Sequence, residues 1–277
     1  MTARFSLWPC LLLVSCLASF SAHATVNDSS MDVKWSYLGS VGPAHWGMLS
    51  PAFELCDTGR AQAPINIGRN KTRSAYALKI HYPTTPLVIG KDIETALEVG
   101  SEKLMINDGH SLQLNFPSKN NRERIAYQGD KYNLVQIHFH SPSETTWHKQ
   151  SFPLEIHFVH QGKDGKVVVL AVLVKGGEKN SVLQTILDHL PAEQGRVFNV
   201  PHTNIRPAQL LPADKRYYAY NGSLTVPPCT EGVQWIVMPK AITATPAQIS
   251  SIREAIGGNN ARPEQALNSR VLSYANK

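Results

Sequence analysis

The sequence has no internal repeat, no low-complexity linker and no cluster of basic residues. Their absence favours one folded unit, and a chain of 277 residues is long enough to bury a sizeable core. The formal net charge is +6, but lysines and arginines are scattered and interleaved with acidic residues. A protein that binds nucleic acid gathers its positive charge into a stripe, so we expect no nucleic-acid partner.

Long hydrophobic runs are also missing after residue 20, which excludes a transmembrane helix from the rest of the chain. The one long run, residues 5–20, follows Arg4 and precedes the small-x-small sequence AHA at 22–24. This pattern predicts a secretory signal peptide at 1–24 and a mature domain at 25–277. A membrane anchor is the alternative, but it needs about 20 apolar residues, and the run is shorter.

A second alternative for the leader is lipid anchoring. Residues 13–16 (LVSC) resemble a bacterial lipoprotein signal, in which Cys16 would carry the lipid. The apolar run continues past Cys16, which fits ordinary cleavage better. We therefore predict a periplasmic or secreted protein, with anchoring through Cys16 as the alternative.

Cysteine is scarce in the mature chain. Cys10 and Cys16 belong to the leader, so only Cys56 and Cys229 remain after cleavage. Two cysteines in an exported protein favour a disulfide, and two unrelated buried thiols are the alternative. Closing so long a loop could stabilise the fold by about 4–5 kcal/mol in the chain-entropy description.

Helical signals are few, whereas short β-rich runs separated by Pro and Gly recur along the chain. The predicted strands are residues 77–81, 103–107, 111–116, 134–140, 154–160, 167–174 and 233–238. Two helices are predicted, one over 180–190 with Asn180 or Ser181 as N-cap, and one over 245–256 with Thr245 as N-cap. The pattern predicts a mixed but β-dominated single domain with a large sheet.

The histidines stand out next. In residues 135–140 (VQIHFH), strand alternation places Gln136, His138 and His140 on one face. In residues 154–160 (LEIHFVH), it places Glu155 and His157 on one face and His160 on the other. If the two strands are neighbours, His157 can join the first two histidines at a common metal ion.

Three neutral imidazoles are typical of catalytic zinc, because tetrahedral Zn²⁺ keeps its fourth position for water or substrate. The alternative for an isolated His-x-His is a polar sheet face without a metal. The third histidine in a matching strand raises the weight of the metal hypothesis.

These runs resemble the α-class carbonic anhydrases, and further motifs occur in the family's order over residues 35–270. They are 35–37 (WSY), 42–47 (GPAHWG), 62–67 (QAPINI), 107–110 (NDGH), 136–140 (QIHFH), 142–144 (PSE), 155–160 (EIHFVH), 221–232 (NGSLTVPPCTEG), 235–237 (WIV) and 262–265 (RPEQ). The cysteine placement is similar to the bacterial secreted branch, where such a pair is bridged. The resemblance implies a twisted, mainly antiparallel central sheet with short peripheral helices.

The resemblance also implies an activity, the reversible hydration of carbon dioxide to bicarbonate and a proton. His138, His140 and His157 match the ligands of Zn²⁺, which lowers the pKa of its bound water to about 7; carbonic anhydrase is itself the source of that value. Thr225 matches the threonine that accepts a hydrogen bond from the zinc-bound hydroxide, and Glu144 matches the carboxylate that receives the threonine's proton. Alone, Thr225 would be interpreted as an ordinary turn residue.

Further roles follow from the same resemblance. Gln136 and Glu155 match the groups that hold the ring N–H of His138 and His157. His110 matches the proton shuttle, although a surface turn histidine would give the same pattern. Five residues match the apolar pocket in which carbon dioxide rests: Val159, Val169, Leu224, Val226 and Trp235. Plain packing in the core is the alternative for each of them.

Three residues depart from the family's pattern. Thr145 stands where the family usually has a histidine that supports the residue matched by Glu155, and its presence predicts a looser site or an altered rate. Val226 replaces a second threonine, which makes the pocket less polar and predicts altered bicarbonate binding or proton transfer. Ala63 replaces a common serine, with a structural effect expected.

The expected substrates are carbon dioxide and bicarbonate, and a homodimer is a possible assembly. The alternative function is a catalytically weak zinc-binding, storage or adhesion protein on the same fold. Relatives of that kind typically lose one or more zinc ligands, whereas all three matching histidines are present here.

Overall fold

A computed structural model describes residues 33–68, 72–73, 76–91, 93, 95–99, 102–106, 111–116 and 122–275. The predicted signal peptide at 1–24, the alternative lipid site Cys16 and the predicted shuttle His110 lie outside the described residues. Among the described residues, none of the helices has the length and apolar character needed to span a bilayer.

Strands dominate the described part of the chain. They are β1 (Asn66–Ile67), β2 (Thr72–Arg73), β3 (Lys79–His81), β4 (Thr85–Lys91), β5 (Thr95–Val99), β6 (Glu102–Ile106), β7 (Leu112–Asn115), β8 (Arg124–Tyr127), β9 (Asp130–His140), β10 (Thr146–Trp147), β11 (Leu154–Gly162), β12 (Val167–Gly176), β13 (Arg196–Ile205), β14 (Tyr217–Ser223), β15 (Glu231–Ala244) and β16 (Ser273–Ala275). The helices are α1 (Trp46–Leu49), α2 (Leu55–Thr58), α3 (Ser181–Leu187) and α4 (Pro246–Ala255), and 3₁₀ turns cover Gly39–Val41, Pro51–Phe53 and Pro207–Leu210.

A 12-stranded sheet forms the centre, in the order β13-β4-β7-β9-β11-β12-β15-β14-β16-β2, with β8 joining β3 to β9. Its pairs are antiparallel except β12–β15 and β16–β2, which are parallel. This confirms the predicted large, mainly antiparallel sheet with short peripheral helices. Two small pairs, β1–β10 and β5–β6, stand apart from the sheet.

The two faces of the sheet pack in separate apolar clusters. The larger cluster takes Phe139, Phe158 and Leu170 from the central strands, together with α3 and α4. The smaller cluster takes Val159, Val169 and other residues on the opposite face. Strand β12 is buried along its whole apolar stretch, as expected for a strand covered on both faces.

Both predicted helices form, and their caps explain their starts. The Asn180 side chain accepts hydrogen bonds from the backbone N–H groups of Val182 and Leu183 at the start of α3. Thr245 and Gln248 form a capping box at the start of α4. The prediction for α3 extended three residues too far, because the chain leaves the helix after Leu187 despite the apolar spacing at Leu190.

The seven predicted strands all coincide with observed strands, with shifted ends. The end of the 103–107 prediction, Asn107, lies outside the described residues. The prediction missed several elements, above all β4, β13 and β14. Strand β13 is mostly exposed and contains Pro201, so it lacks the alternation that marks a half-buried strand.

Candidate metal centre

The antiparallel register of β9 and β11 brings the three predicted ligands together. His157 lies opposite His138, and Glu155 lies opposite His140. Alternation on each strand then points these side chains to one face of the sheet. The neighbouring strands assumed from sequence are therefore neighbours in the structure.

The three imidazoles form a compact triangle. Ring centroids are 4.9 Å apart for His138 and His140, 5.0 Å for His138 and His157, and 4.5 Å for His140 and His157. One nitrogen from each ring lies within 4.8 Å of the other two, so the group is able to hold a metal ion.

Each ring has an outer contact that decides which nitrogen faces inward. His138 donates from Nδ1 to Gln136 Oε1 at 2.7 Å, and His140 donates from Nδ1 to the carbonyl of Asn260 at 2.9 Å. In both rings this leaves the lone pair of Nε2 for the centre. His157 is turned the other way, with Nε2 3.2 Å from Glu155 Oε1.

Two of the inner nitrogens have the spacing that a tetrahedral metal ion such as Zn²⁺ requires. His157 Nδ1 lies 3.2 Å from His138 Nε2, and two nitrogens bound to tetrahedral zinc at its usual bond length are about 3.3 Å apart. Burial lowers the pKa of His138 and His157 well below the ordinary value, with neighbouring imidazoles adding to the effect. Both rings are therefore neutral at pH 7, as ligands must be.

Glu144 lies beside the triangle, where its Oε2 is 3.6 Å from His140 Nε2. Its Oε1 accepts a hydrogen bond from the backbone N–H of Arg262 at 2.9 Å. Burial raises the pKa of Glu144, and hydrogen bonding from Arg262 and from the Thr225 side chain opposes the rise. Glu144 and Thr225, two predicted catalytic residues, thus meet next to the metal ligands.

Glu155 is wholly buried and is held by its neighbour Thr145. The Thr145 backbone N–H donates to Oε2 at 2.7 Å, and the Thr145 hydroxyl donates to Oε1 at 2.7 Å. The sequence predicted a looser site or an altered rate from the absence of histidine at position 145, and the altered rate stays a prediction. The structure instead gives Glu155 two short hydrogen bonds from the threonine.

A cleft of about 50 Å³ opens next to the histidines. It is lined by Ile93, Gln113, Gln136, His138, His157, Val159, Val169, Leu224, Thr225, Val226 and Trp235. All five residues predicted for the apolar pocket line it. Gly222 allows the Trp235 ring to approach, since a Cβ there would lie 2.6 Å from Trp235 Cδ1.

Sequence reasoning missed four contributors to the site. Gln113 is a polar residue between two buried leucines of β7, and it pairs in register with His138, so alternation could have found it. Ile93 gave no signal of its own. Asn260 and Arg262 act on His140 and Glu144 through backbone groups, which no side-chain pattern reveals.

The predicted disulfide forms between Cys56 and Cys229, with an S–S distance of 2.08 Å. It joins α2 to the loop that carries Thr225 and Val226. The buried Arg262 side chain also donates to the carbonyl of Cys56 at 2.9 Å. The disulfide therefore ties the N-terminal segment to the loop at the cleft, and the Arg262 side chain ties the same segment to the residue whose backbone N–H binds Glu144.

The fold is a single large β-sheet, and the site is a group of three histidines that could hold a metal ion beside an apolar cleft. The family described as "Eukaryotic-type carbonic anhydrase" matches residues 41–276. The chain belongs to this carbonic anhydrase family and is an enzyme of it.

Individual relatives agree with this assignment. A carbonic anhydrase of Nostoc sp. is 37% identical over 257 residues, covering 93% of this chain and 92% of the relative. The structure of a hyperthermostable carbonic anhydrase from a hydrothermal vent chimney superposes with a TM-score of 0.76 at 36% identity, covering 87% of this chain and 100% of the other. The α-carbonic anhydrase of Thermovibrio ammonificans, in complex with the inhibitor sulfanilamide, gives a TM-score of 0.71 at 34% identity, covering 87% and 99%.

Proposed function

We propose that the protein binds one Zn²⁺ through His138, His140 and His157 and catalyses the reversible hydration of carbon dioxide to bicarbonate and a proton. The observation that carries this proposal is the convergence of three inward-facing ring nitrogens, two of them 3.2 Å apart, at the apolar cleft. When bound, zinc supplies a nucleophile at neutral pH by lowering the pKa of coordinated water.

The residues around the metal position the reactants. Glu144 accepts a hydrogen bond from the Thr225 hydroxyl, so the Thr225 oxygen has only its lone pairs to offer to the nucleophile. A lone pair of the nucleophile is thereby aimed toward the cleft. Carbon dioxide, which is apolar, rests against Val159, Val169, Leu224 and Trp235, whose burial keeps competing water away.

The proton released by the reaction must reach solvent. We propose that His110 carries it, because an imidazole with an ordinary pKa changes charge near neutral pH. Gln113 of β7, which lines the cleft and pairs in register with His138 of β9, is polar enough to help order water on the way.

Stopped-flow carbon dioxide hydration, with zinc content assayed on the same sample, tests the proposal. We expect fast turnover with about one zinc per chain, abolished in His140→Ala and retained in the matched control His81→Ala, whose side chain is exposed on β3. Zinc without turnover would favour a binding or storage protein, and absence of zinc would reject the proposal. Primary sulfonamides should inhibit, since sulfanilamide is bound by the Thermovibrio relative.

We further propose that the protein is exported after removal of residues 1–24, with lipidation at Cys16 as the alternative. The disulfide supports this, because such bonds persist in oxidising compartments. Mass spectrometry of the mature chain distinguishes a new terminus at Thr25 from a lipid on Cys16. A homodimer stays a prediction, which light scattering of the purified protein tests.

A further inference from the structure

Thr145 donates two hydrogen bonds to Glu155, and no role in the proposed reaction has yet been given to this pair of bonds. Both partners are wholly buried. The backbone N–H of Thr145 would remain after any substitution except proline. Its hydroxyl depends on the side chain, and it binds Oε1, the same oxygen that lies 3.2 Å from His157 Nε2.

Thr145 is itself fixed in place, so its hydroxyl has a defined direction. Ser143 Oγ donates to the carbonyl of Thr145 at 2.8 Å and accepts from the backbone N–H of Phe152 at 2.8 Å. These bonds anchor the loop between β9 and β10 to the start of β11. A residue on a braced loop can orient its neighbour without rearranging.

Glu155 has little other support from side chains. The charge of Glu155 acts on buried Tyr220 and raises the pKa of that phenol, after burial as the main cause. Yet the Tyr220 hydroxyl has no hydrogen-bond partner among the residues that the structure describes. Within those residues, and apart from the contact with His157 Nε2 at 3.2 Å, Thr145 is the side chain that donates a hydrogen bond to the Glu155 carboxylate.

We propose that Thr145 is a positioning residue for the metal centre. Its hydroxyl holds Glu155 Oε1 against His157 Nε2, which keeps the His157 proton on Nε2 and leaves Nδ1 to bind the metal. The inference rests on the proposed zinc function and deepens it. It assigns to Thr145 the support of Glu155 that a histidine usually gives at this position in the family.

The test compares Thr145→Val, which removes the hydroxyl at nearly constant volume, with Thr145→Ser, which keeps it. Thr185→Val is the control, since it deletes a threonine hydroxyl bonded to the carbonyl of Ser181 on α3, away from the site. We expect zinc release to a chelator to be about 10–100-fold faster in the valine variant, and near the wild-type rate in the serine and control variants. Release within twofold of wild type in a folded Thr145→Val protein would overturn the proposal.

A second measurement needs no metal. Nitrogen-15 NMR of the metal-free protein should show His157 protonated on Nε2 in wild type and Thr145→Ser, and a tautomer mixture in Thr145→Val. An unchanged tautomer would overturn the positioning role. If wild type bound no zinc, the proposed function would fail while this experiment still decided the role of Thr145.

A double-mutant cycle covers the case in which Thr145→Val does not fold. Thr145→Ala then replaces it, alone and combined with Glu155→Gln. If Thr145 acts through Glu155, the effect of Thr145→Ala on zinc release should shrink in the Glu155→Gln background. Simple additivity of the two changes would contradict the proposal.

Discussion

His157 and His160 lie three residues apart on β11, and both are buried, but their ring nitrogens meet different partners. His160 faces the larger apolar cluster, where Nδ1 lies 3.1 Å from the carbonyl of Val168 and Nε2 lies 2.6 Å from the Tyr82 hydroxyl. Both nitrogens of His160 are therefore satisfied. His157 faces the cleft. Its Nδ1 lies 3.2 Å from the ring nitrogen Nε2 of His138, and not against a backbone carbonyl or a hydroxyl group as in His160.

His157 and His160 differ in the feature that separates a candidate metal ligand from a core histidine. Burial lowers the pKa of both histidines, so neither burial nor a low pKa distinguishes them. The distinction lies in the outer contacts. A histidine whose two nitrogens are both bonded to protein groups is a core residue, and one with an inward lone pair facing other imidazoles is a candidate metal ligand.

The largest expected effect comes from removing the ligand on the cleft side. If the proposed function holds, His157→Ala should lower the rate of carbon dioxide hydration by at least about 1000-fold, because it removes one of the three proposed zinc ligands. His160→Ala, three residues away, should retain zinc and most of the activity. Equal losses in the two variants, measured by stopped flow and zinc assay on folded protein, would break the comparison.

Removing the core histidine should instead cost stability. His160→Ala leaves a cavity and removes the hydrogen-bond partner of the Tyr82 hydroxyl and of the Val168 carbonyl. We therefore expect a loss of about 3 kcal/mol in the free energy of unfolding. Urea unfolding of the zinc-loaded protein measures it. His81→Ala, at an exposed position on β3, should change stability by less than about 0.5 kcal/mol.

His160 should also give stability a dependence on pH. Burial lowers its pKa from 6.5 to about 3. Below pH 6.5, His160 binds a proton in the unfolded chain but stays neutral in the folded protein. The free energy of unfolding therefore falls as pH decreases from 6.5 toward 3. At pH 5 this loss is about 2 kcal/mol relative to neutral pH.

The variant His160→Gln sharpens this prediction, because glutamine can both donate and accept but does not titrate. The difference in unfolding free energy between wild type and His160→Gln should shrink by about 2 kcal/mol from pH 7 to pH 5. If the unfolding free energies of the two proteins changed equally between pH 7 and pH 5, His160 would not gain a proton on unfolding as predicted.

The smallest effect concerns the apolar wall on the cleft side. Val226→Thr adds a hydroxyl at nearly constant volume next to Thr225, and one extra hydrogen bond should change the KM for bicarbonate by about two- to fivefold. The rate constant kcat/KM for carbon dioxide should change less than about threefold. Val226→Ala separates the effect of volume from that of polarity, and unchanged kinetics in Val226→Thr would reject the suggested influence of Val226.

Much of the site could be predicted from local patterns. Alternation in residues 135–140 put Gln136 with His138, and the structure places that pair in contact at 2.7 Å. The helix caps Asn180 and Thr245 were readable because capping depends on residues next to each other in the chain. Strand β13 could not be predicted in this way, because a mostly exposed strand has no regular alternation of apolar and polar residues.

Local patterns in the chain were enough to predict which side chains share a face of β9 and of β11, near which residues α3 and α4 begin, and which histidines are available as ligands. The folded structure was needed to show that β11 pairs with β9, that Asn260 and Arg262 supply backbone groups to His140 and Glu144, and that Thr145 holds Glu155. The reason is physical. Side-chain periodicity follows from local backbone geometry, whereas a backbone carbonyl or N–H is the same at every residue, and its partner depends on which segments the fold brings together. The contacts of Asn260 with His140 and of Arg262 with Glu144 join residues more than one hundred positions apart, and even the contact of Thr145 with Glu155 depends on how the chain turns between β9 and β11.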